Sequence, residues 1–168
     1  MHFTFLLTLV WLPFAFSSPP SSSHNSLKWD VYLVPALPTA PLSANLTFSP
    51  TAITLIHGVH SAILIDAPAT VVETEALADW IESTIPGKRL THVYITHGHG
   101  DHFFGVPVLQ KRFPGLVPIA TERTIEHIEQ QLEPGFFSVF WASVFPNGQI
   151  PEQNEVFNAV PKVSYCIS

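Results

Sequence analysis

The chain has 168 residues, enough for one domain core and too few for two cores of ordinary size. Thirteen Asp and Glu residues against seven Lys and Arg give a net charge of −6, and the basic residues are scattered along the sequence. Nucleic acid is therefore excluded as an expected partner, because its backbone is bound through clustered basic residues. A small-molecule substrate is expected instead.

The N-terminus has the pattern of a secretory signal peptide over residues 1–17. Its apolar stretch, residues 3–16, is shorter than the roughly 20 residues that span a bilayer. Ala15 and Ser17 supply the small residues that signal peptidase reads, so cleavage is expected after Ser17. We expect a secreted chain with no stable membrane span, although a leader without Lys or Arg also fits a membrane-tethering anchor. Asn45 begins an Asn-Leu-Thr sequon and is a glycosylation candidate in an exported protein.

The rest of the chain divides into a linker and one domain. Residues 18–50 are rich in Ser and Pro and contain a first predicted strand at residues 29–34, followed by extended coil. Residues 51–168 form the domain, in which predicted strands alternate with predicted helices, as in layered α/β folds. In chain order these are a hairpin of strands at 51–56 and 61–65, a helix capped by Thr70 and ending before Pro86, a strand at 91–95, a short helix containing Pro107, a strand at 116–120 and a helix at 121–132.

The histidines concentrate in the run THGHGDH, residues 96–102, directly after a predicted strand. His97 and His99 are separated by one residue, and in extended backbone that spacing points both imidazoles to the same side. A glycine then permits a turn that brings Asp101 and His102 to face the first pair. One loop can therefore provide ligands for two metal sites.

Imidazoles combined with a carboxylate suit zinc, and also iron or manganese, better than calcium or magnesium. We expect up to two zinc ions in a complete form of the protein. Zinc lowers the pKa of a bound water to about 7, so hydrolysis is the reaction that such a site favours. Asp101 is the candidate catalytic residue, because it would hold and orient the nucleophile.

The pattern His-x-His-x-Asp-His, after a strand and before a helix, resembles the metallo-β-lactamase superfamily over about residues 51–151. The resemblance implies a mixed α/β (α+β) fold, the N-terminal half of an αββα sandwich. It implies that Asp66 is a buried aspartate that supports the metal loop. The implied ligands are one pair for each metal, His97 with His99 and Asp101 with His102.

The sequence departs from that family after the loop. A complete member has a third histidine for the first metal, a bridging aspartate and a final histidine for the second. Here the only later histidine is His127, on a predicted helix that is not expected to return it to the loop, and Asp101 is the last aspartate. We therefore predict a truncated, inactive fragment of a longer hydrolase, with an uncovered face of the sheet. The alternative is an exported, non-catalytic protein that binds metal or a partner.

Other conspicuous residues are interpreted as structural. His57 and His60 flank the predicted hairpin turn, where polar residues usually serve the turn or the surface. The aromatic run at residues 136–141 is interpreted as core or pocket wall. The substrate stays open among lactams, thioesters, lactones and phosphoesters, because a fold does not fix a function.

Overall fold

The computed structural model describes residues 27–39 and 47–162. The predicted signal peptide, the sequon at Asn45 and the chain from residue 163 onward lie outside the described residues. The strands are β1 (Lys28–Val34), β2 (Leu37–Pro38), β3 (Thr47–Phe48), β4 (Thr51–His57), β5 (Ser61–Ile65), β6 (Arg89–Tyr94) and β7 (Val117–Ile119). The helices are α1 (Val71–Thr84), α2 (Val106–Arg112), α3 (Glu122–Gln131), α4 (Pro134–Phe136), α5 (Ala142–Val144) and α6 (Gln153–Ala159), with a π-helical turn at Phe137–Trp141 between α4 and α5.

The main sheet has five strands in the order β1-β4-β5-β6-β7. The pairs β1–β4 and β4–β5 are antiparallel, and the pairs β5–β6 and β6–β7 are parallel. Parallel neighbours need a crossover, and α1 provides the one between β5 and β6. The predicted hairpin of β4 and β5 is confirmed, and each strand and helix predicted between residues 51 and 132 has its counterpart. The fold class is the mixed α/β arrangement that the sequence predicted.

Local sequence sets the ends of the long helix α1. The hydroxyl of Thr70 accepts a hydrogen bond of 3.3 Å from the backbone N–H of Glu73, the N-cap arrangement that its position predicted. The helix stops before Pro86 and Gly87, and Gly87 adopts a φ of 74°, a left-handed conformation that suits glycine after a helix. The bounds of α1 therefore follow from the Thr70 cap at its start and from the Pro86-Gly87 pair just beyond its end.

The hydrophobic core lies on one face of the sheet. Leu55, Leu64 and Val93 occupy matched positions on β4, β5 and β6, and all three are fully buried. Leu77 and Ile81 of α1 belong to the same core. Because side chains alternate along a strand, the residues between these points lie on the opposite face.

That opposite face is exposed at β1. Trp29 is 71% exposed and Leu33 is 70% exposed, and they pair with Ile56 and Ala52 of β4. Across the described part of the chain, no element buries these two side chains. Within the same described ranges, no helix is both long and apolar enough to cross a membrane.

One local prediction was wrong. Residues 35–50 were expected to be extended coil, but Leu37–Pro38 and Thr47–Phe48 pair as a two-residue antiparallel ladder. Proline weakens a sheet by removing one backbone donor. In a pair this short, a single missing donor does not prevent pairing.

Replacing a large side chain by alanine should lower the stability of the protein on the buried face of the sheet and leave it nearly unchanged on the exposed face. We expect Leu55→Ala to lower the free energy of unfolding by about 2–5 kcal/mol, because it opens a cavity in the core. The matched control, Leu33→Ala, should change it by less than about 0.5 kcal/mol, because that side chain is mostly in water. Urea denaturation followed by circular dichroism measures both. A Leu33→Ala loss as large as the Leu55→Ala loss would contradict the assignment of the faces.

Candidate metal centre

The histidine loop begins where β6 ends, beside the end of its parallel neighbour β5. Asp66 follows β5 directly, and its backbone N–H donates to the carbonyl of Tyr94 at 2.9 Å. Asp66 has a φ of 68°, which is uncommon for a residue other than glycine. This conformation turns the chain sharply at the end of β5, and the Asp66 side chain is buried against the loop.

The carboxylate of Asp66 accepts hydrogen bonds from two residues of the loop. The backbone N–H of Thr96 donates to Oδ1 at 2.8 Å, and the Thr96 hydroxyl lies 2.8 Å from Oδ2. Nδ1 of His102 lies 2.9 Å from Oδ2. An ionised carboxylate only accepts, so Thr96 and His102 are the donors. One side chain thus fixes both ends of the loop.

These bonds determine which ring nitrogens carry protons. The Thr96 oxygen lies 3.0 Å from Nδ1 of His97. Since the Thr96 hydroxyl donates its proton to Asp66, its oxygen accepts a hydrogen bond from Nδ1 of His97. His102 likewise uses Nδ1 toward Asp66. Both imidazoles therefore keep Nε2 for a ligand, the arrangement that outer carboxylates impose on metal-binding histidines.

His102 and Asp101 form a close pair on the other side of the ring. Nε2 of His102 lies 3.3 Å from Oδ2 of Asp101. Burial alone lowers the pKa of His102, but its hydrogen bonds to Asp101 and Asp66 and their negative charges outweigh that effect and raise the pKa to about 9. Burial raises the pKa of Asp101, but the hydrogen bond from His102, the positive charge of His102 and a backbone hydrogen bond together outweigh it and hold the pKa of Asp101 below its usual value. In the metal-free protein this pair is an imidazolium and a carboxylate.

His97 has the opposite electrostatic character. Burial lowers the pKa of His97, and the neighbouring positive charge of His102 lowers it further, against partial opposition from Asp66. The His97 ring lies 3.9 Å from the His102 ring and 5.0 Å from the His99 ring, measured between centroids. The three imidazole rings are thus close together, and His97 is the neutral ring that lies near both of the others.

The donor set fits a metal ion. One donor atom from each of Asp66, His97 and His102 lies within 4.8 Å of the others. Because Thr96 and His102 already occupy the oxygens of Asp66, we assign Asp66 to supporting the loop. The atoms left for a metal are Nε2 of the two histidines and the carboxylate of Asp101, an imidazole and carboxylate set that suits zinc. Metal binding by His97, His99, Asp101 and His102 stays a prediction. Of these four, His97 and His102 belong to the close group, whereas His99 contacts the His97 ring and Asp101 pairs with His102.

The placement of His127 was predicted wrongly. Helix α3 brings His127 to the loop, where its ring meets the His99 ring edge to face, with centroids 4.9 Å apart. A Cβ at Gly98 would lie 2.7 Å from Cβ of His127, so only glycine allows the helix to approach this closely. The sequence of α3, in which His127 is the one histidine, gave no sign of this contact. The glycine between two predicted ligands was the available signal.

Comparison with known proteins agrees with the motif. The sequence model of the metallo-beta-lactamase superfamily matches residues 46–163. The chain belongs to the metallo-β-lactamase superfamily. Its curated relatives include atrochrysone carboxyl ACP thioesterase AgnL7 of Paecilomyces divaricatus, 42% identical over 62 residues, which are 36% of this chain and 20% of that protein. Hydroxyacylglutathione hydrolase of Stenotrophomonas maltophilia (strain R551-3) is 38% identical over 81 residues, 43% of this chain and 29% of that protein.

Among solved structures, the chain is similar to the metallo-β-lactamase FIM-1 from Pseudomonas aeruginosa in its mono-zinc form. The TM-score is 0.46 at 18% identity, covering 62% of this chain and 42% of that one. A metallo-β-lactamase from Hirschia baltica gives the same TM-score, 0.46, at 21% identity, covering 62% of this chain and 43% of that one. The chain thus spans less than half the length of these superfamily members and of its curated relatives.

Replacing Asp66 by asparagine should disrupt the histidine tautomers. The amide of Asp66→Asn can present a donor to Nδ1 of His102, which would leave the proton on Nε2, the atom needed for metal. We expect zinc affinity to fall about 10–100-fold, the usual effect of losing such a supporting carboxylate. Calorimetric zinc titration of the folded variant measures it. Asp79→Asn, on the exposed surface of α1, is the matched control and should bind zinc as the wild type does. Equal affinities in all three proteins would contradict the role of Asp66.

Zinc binding should release a proton from His102. The pKa of about 9 means that metal-free His102 is protonated at pH 7.5, so a metal on Nε2 must displace that proton. We expect apparent zinc affinity to rise as pH increases toward 9 and this dependence to disappear above it. Titrations in buffers of different ionisation enthalpy count the protons. His102→Ala should reduce the count at pH 7.5 by one, and an unchanged count would show that the group is neutral.

Proposed function

We propose that this chain carries the metal-binding half of a zinc-dependent hydrolase that cleaves acyl thioesters. The observation that supports it most is the hydrogen-bond network of Asp66, which engages Nδ1 of His102 directly and Nδ1 of His97 through Thr96, so that Nε2 is the remaining ring nitrogen of each and that of His102 faces Asp101. Such prior orientation is characteristic of built metal sites rather than of histidines on a surface. The matched relatives are covered over only 20–29% of their lengths, so the activity is proposed for the complete protein.

The residues divide the work between two metal positions. His97 and His99 would hold one ion, and Asp101 and His102 the other. When bound, zinc supplies Lewis acidity and a nucleophile at neutral pH. Asp101, whose pKa is held low by His102, stays ionised and can accept a hydrogen bond from the attacking water, which orients it. His99 and Asp101 both border the same cavity, so an acyl group placed there would meet this end of the site.

The thioester assignment comes from the names of the relatives. AgnL7 is named as a thioesterase that acts on an acyl carrier protein conjugate, and the bacterial relative as a hydrolase of hydroxyacylglutathione. Both names describe removal of an acyl group from a carrier. We extend that chemistry to this chain, together with secretion after cleavage at Ser17 and a small-molecule substrate.

One observation favours a second function. The exposed apolar face of β1, with Trp29 and Leu33 mostly in water, suits contact with another protein. An exported protein that binds metal and a partner without catalysis would keep the histidine loop and use this face. The two functions differ in whether the protein turns over substrate.

The decisive experiment uses the product of the complete transcript. The transcript is sequenced beyond codon 168, and the encoded protein is purified with zinc and assayed for thiol release from S-acyl N-acetylcysteamine thioesters. We expect turnover that is lost, together with most bound zinc, in the double variant His97→Ala, His99→Ala. The control His60→Ala alters an exposed histidine at the hairpin turn and should keep both properties.

The possible results separate the alternatives. Zinc binding without turnover of thioester, lactam or phosphodiester would refute the hydrolase and favour the non-catalytic protein. Turnover of a lactam alone would refute the thioester assignment. Equal zinc content in the wild type and the double variant would refute the metal site itself.

A further inference from the structure

A cavity of about 350 Å³ opens between the histidine loop and the aromatic helical segment, residues 134–144. His99 and Asp101 border one end of it. The walls are mainly aromatic rings, contributed by Phe48, Phe136, Phe140 and Trp141. Its volume is in the range of pockets that bind small molecules. The cavity therefore joins two predicted metal ligands to an apolar chamber.

The rings of the aromatic helical segment are arranged in an ordered set. Phe136 and Phe140 stack, with centroids 5.4 Å apart and an interplanar angle of 27°. Phe140 meets Trp141 edge to face at 5.0 Å, and the Trp141 ring contacts that of Phe48 at 5.8 Å. Offset stacks and edge-to-face pairs are the preferred arrangements of aromatic rings. A flat aromatic guest can extend this set.

Hydrogen bonds hold the innermost ring in place. Nε1 of buried Trp141 donates to Oε1 of Gln131 at 2.9 Å. Because the Gln131 oxygen is the acceptor, its amide nitrogen faces Nε2 of His127 at 3.3 Å and donates to it. His127 in turn contacts His99. The Trp141 ring is thus held by a hydrogen bond and connected to the metal loop.

Exposure and charge point to the kind of ligand. Phe136 and Phe140 are 43% and 41% exposed, although each is a large apolar ring at the edge of a cavity. The described lining contains no Lys or Arg, and its polar residues are Ser49, His99, Asp101 and Gln131. The exposed rings of Phe136 and Phe140 therefore favour an uncharged, apolar guest. Planar rings on the wall match a planar guest, and a rigid guest loses little conformational entropy on binding.

We propose that this chamber binds a flat, neutral aromatic acyl group and so selects aromatic acyl substrates. The proposal rests on the proposed function, because it assigns the group attached to the reacting carbonyl. In that pose the carbonyl lies at the end bordered by His99 and Asp101, and the ring system lies against Phe140 and Trp141. Phe140 is then a specificity-determining residue that takes no part in bond cleavage.

The test measures binding of two ketones that cannot be hydrolysed. The 168-residue chain, with and without zinc, is titrated with 2-acetylnaphthalene and with 2-nonanone, a flexible ketone of comparable apolar character. Saturation-transfer NMR over each titration gives the two affinities. We expect 2-acetylnaphthalene to bind at least about tenfold more tightly than 2-nonanone.

Variants separate planarity from general apolarity. Phe140→Leu keeps an apolar side chain but removes the ring, and should weaken 2-acetylnaphthalene at least about fivefold while leaving 2-nonanone unchanged. Phe157→Leu, an equally exposed phenylalanine outside the cavity, is the matched control and should change neither affinity. Equal binding of the two ketones, or no effect of Phe140→Leu, would overturn the proposal. Because neither ketone reacts, these outcomes are independent of whether the complete protein hydrolyses thioesters.

Discussion

The carboxylate of Asp66 is the constraint on which the site depends. It ties the end of β5 to Thr96 and His102 on the neighbouring loop, through donors at 2.8–2.9 Å. Hydrogen bonds to a charged group contribute about 1.5–3 kcal/mol each, enough to offset the cost of a left-handed backbone at a residue with a side chain. The same bonds select the histidine tautomers. Asp66 therefore connects β5 to the loop, compensates the cost of its own left-handed backbone and orients the predicted metal-binding histidines.

The loop is held from its other side by α3 and the aromatic helical segment. The close approach at Gly98 sets the distance between helix and loop, and the chain of contacts from Trp141 through Gln131 and His127 reaches His99. A side chain added at Gly98 would collide with the backbone of α3 at Ile128 and with Cβ of His127. Two separate supports thus hold the loop. One is the Asp66 carboxylate at the end of β5, and the other is helix α3, which packs against Gly98 and His99.

Local patterns were sufficient for most of the fold. Runs of β-branched apolar residues marked β4 and β5, and the Thr70 cap and the Pro86-Gly87 pair marked the ends of α1. The histidine loop could be found because its ligands are adjacent in sequence. The contact of His127 with His99 could not, because it depends on how α3 docks, and docking is set by the shapes of distant surfaces. The role of Thr96 was missed for a similar reason, since its partner lies 30 residues earlier.

The separation of Asp66 and Thr96 along the sequence also affects the expected order of folding. Asp66 and Thr96 meet only after β5 and β6 have paired in parallel, with all of α1 folded between them. Contacts that close long loops are slow to form, because the chain loses entropy before it gains contacts. In an unfolded chain nothing fixes the tautomers of the four loop residues, so their affinity for metal should be lower than in the folded protein. Metal capture should therefore come late in folding and serve as a sign that the sheet is already assembled.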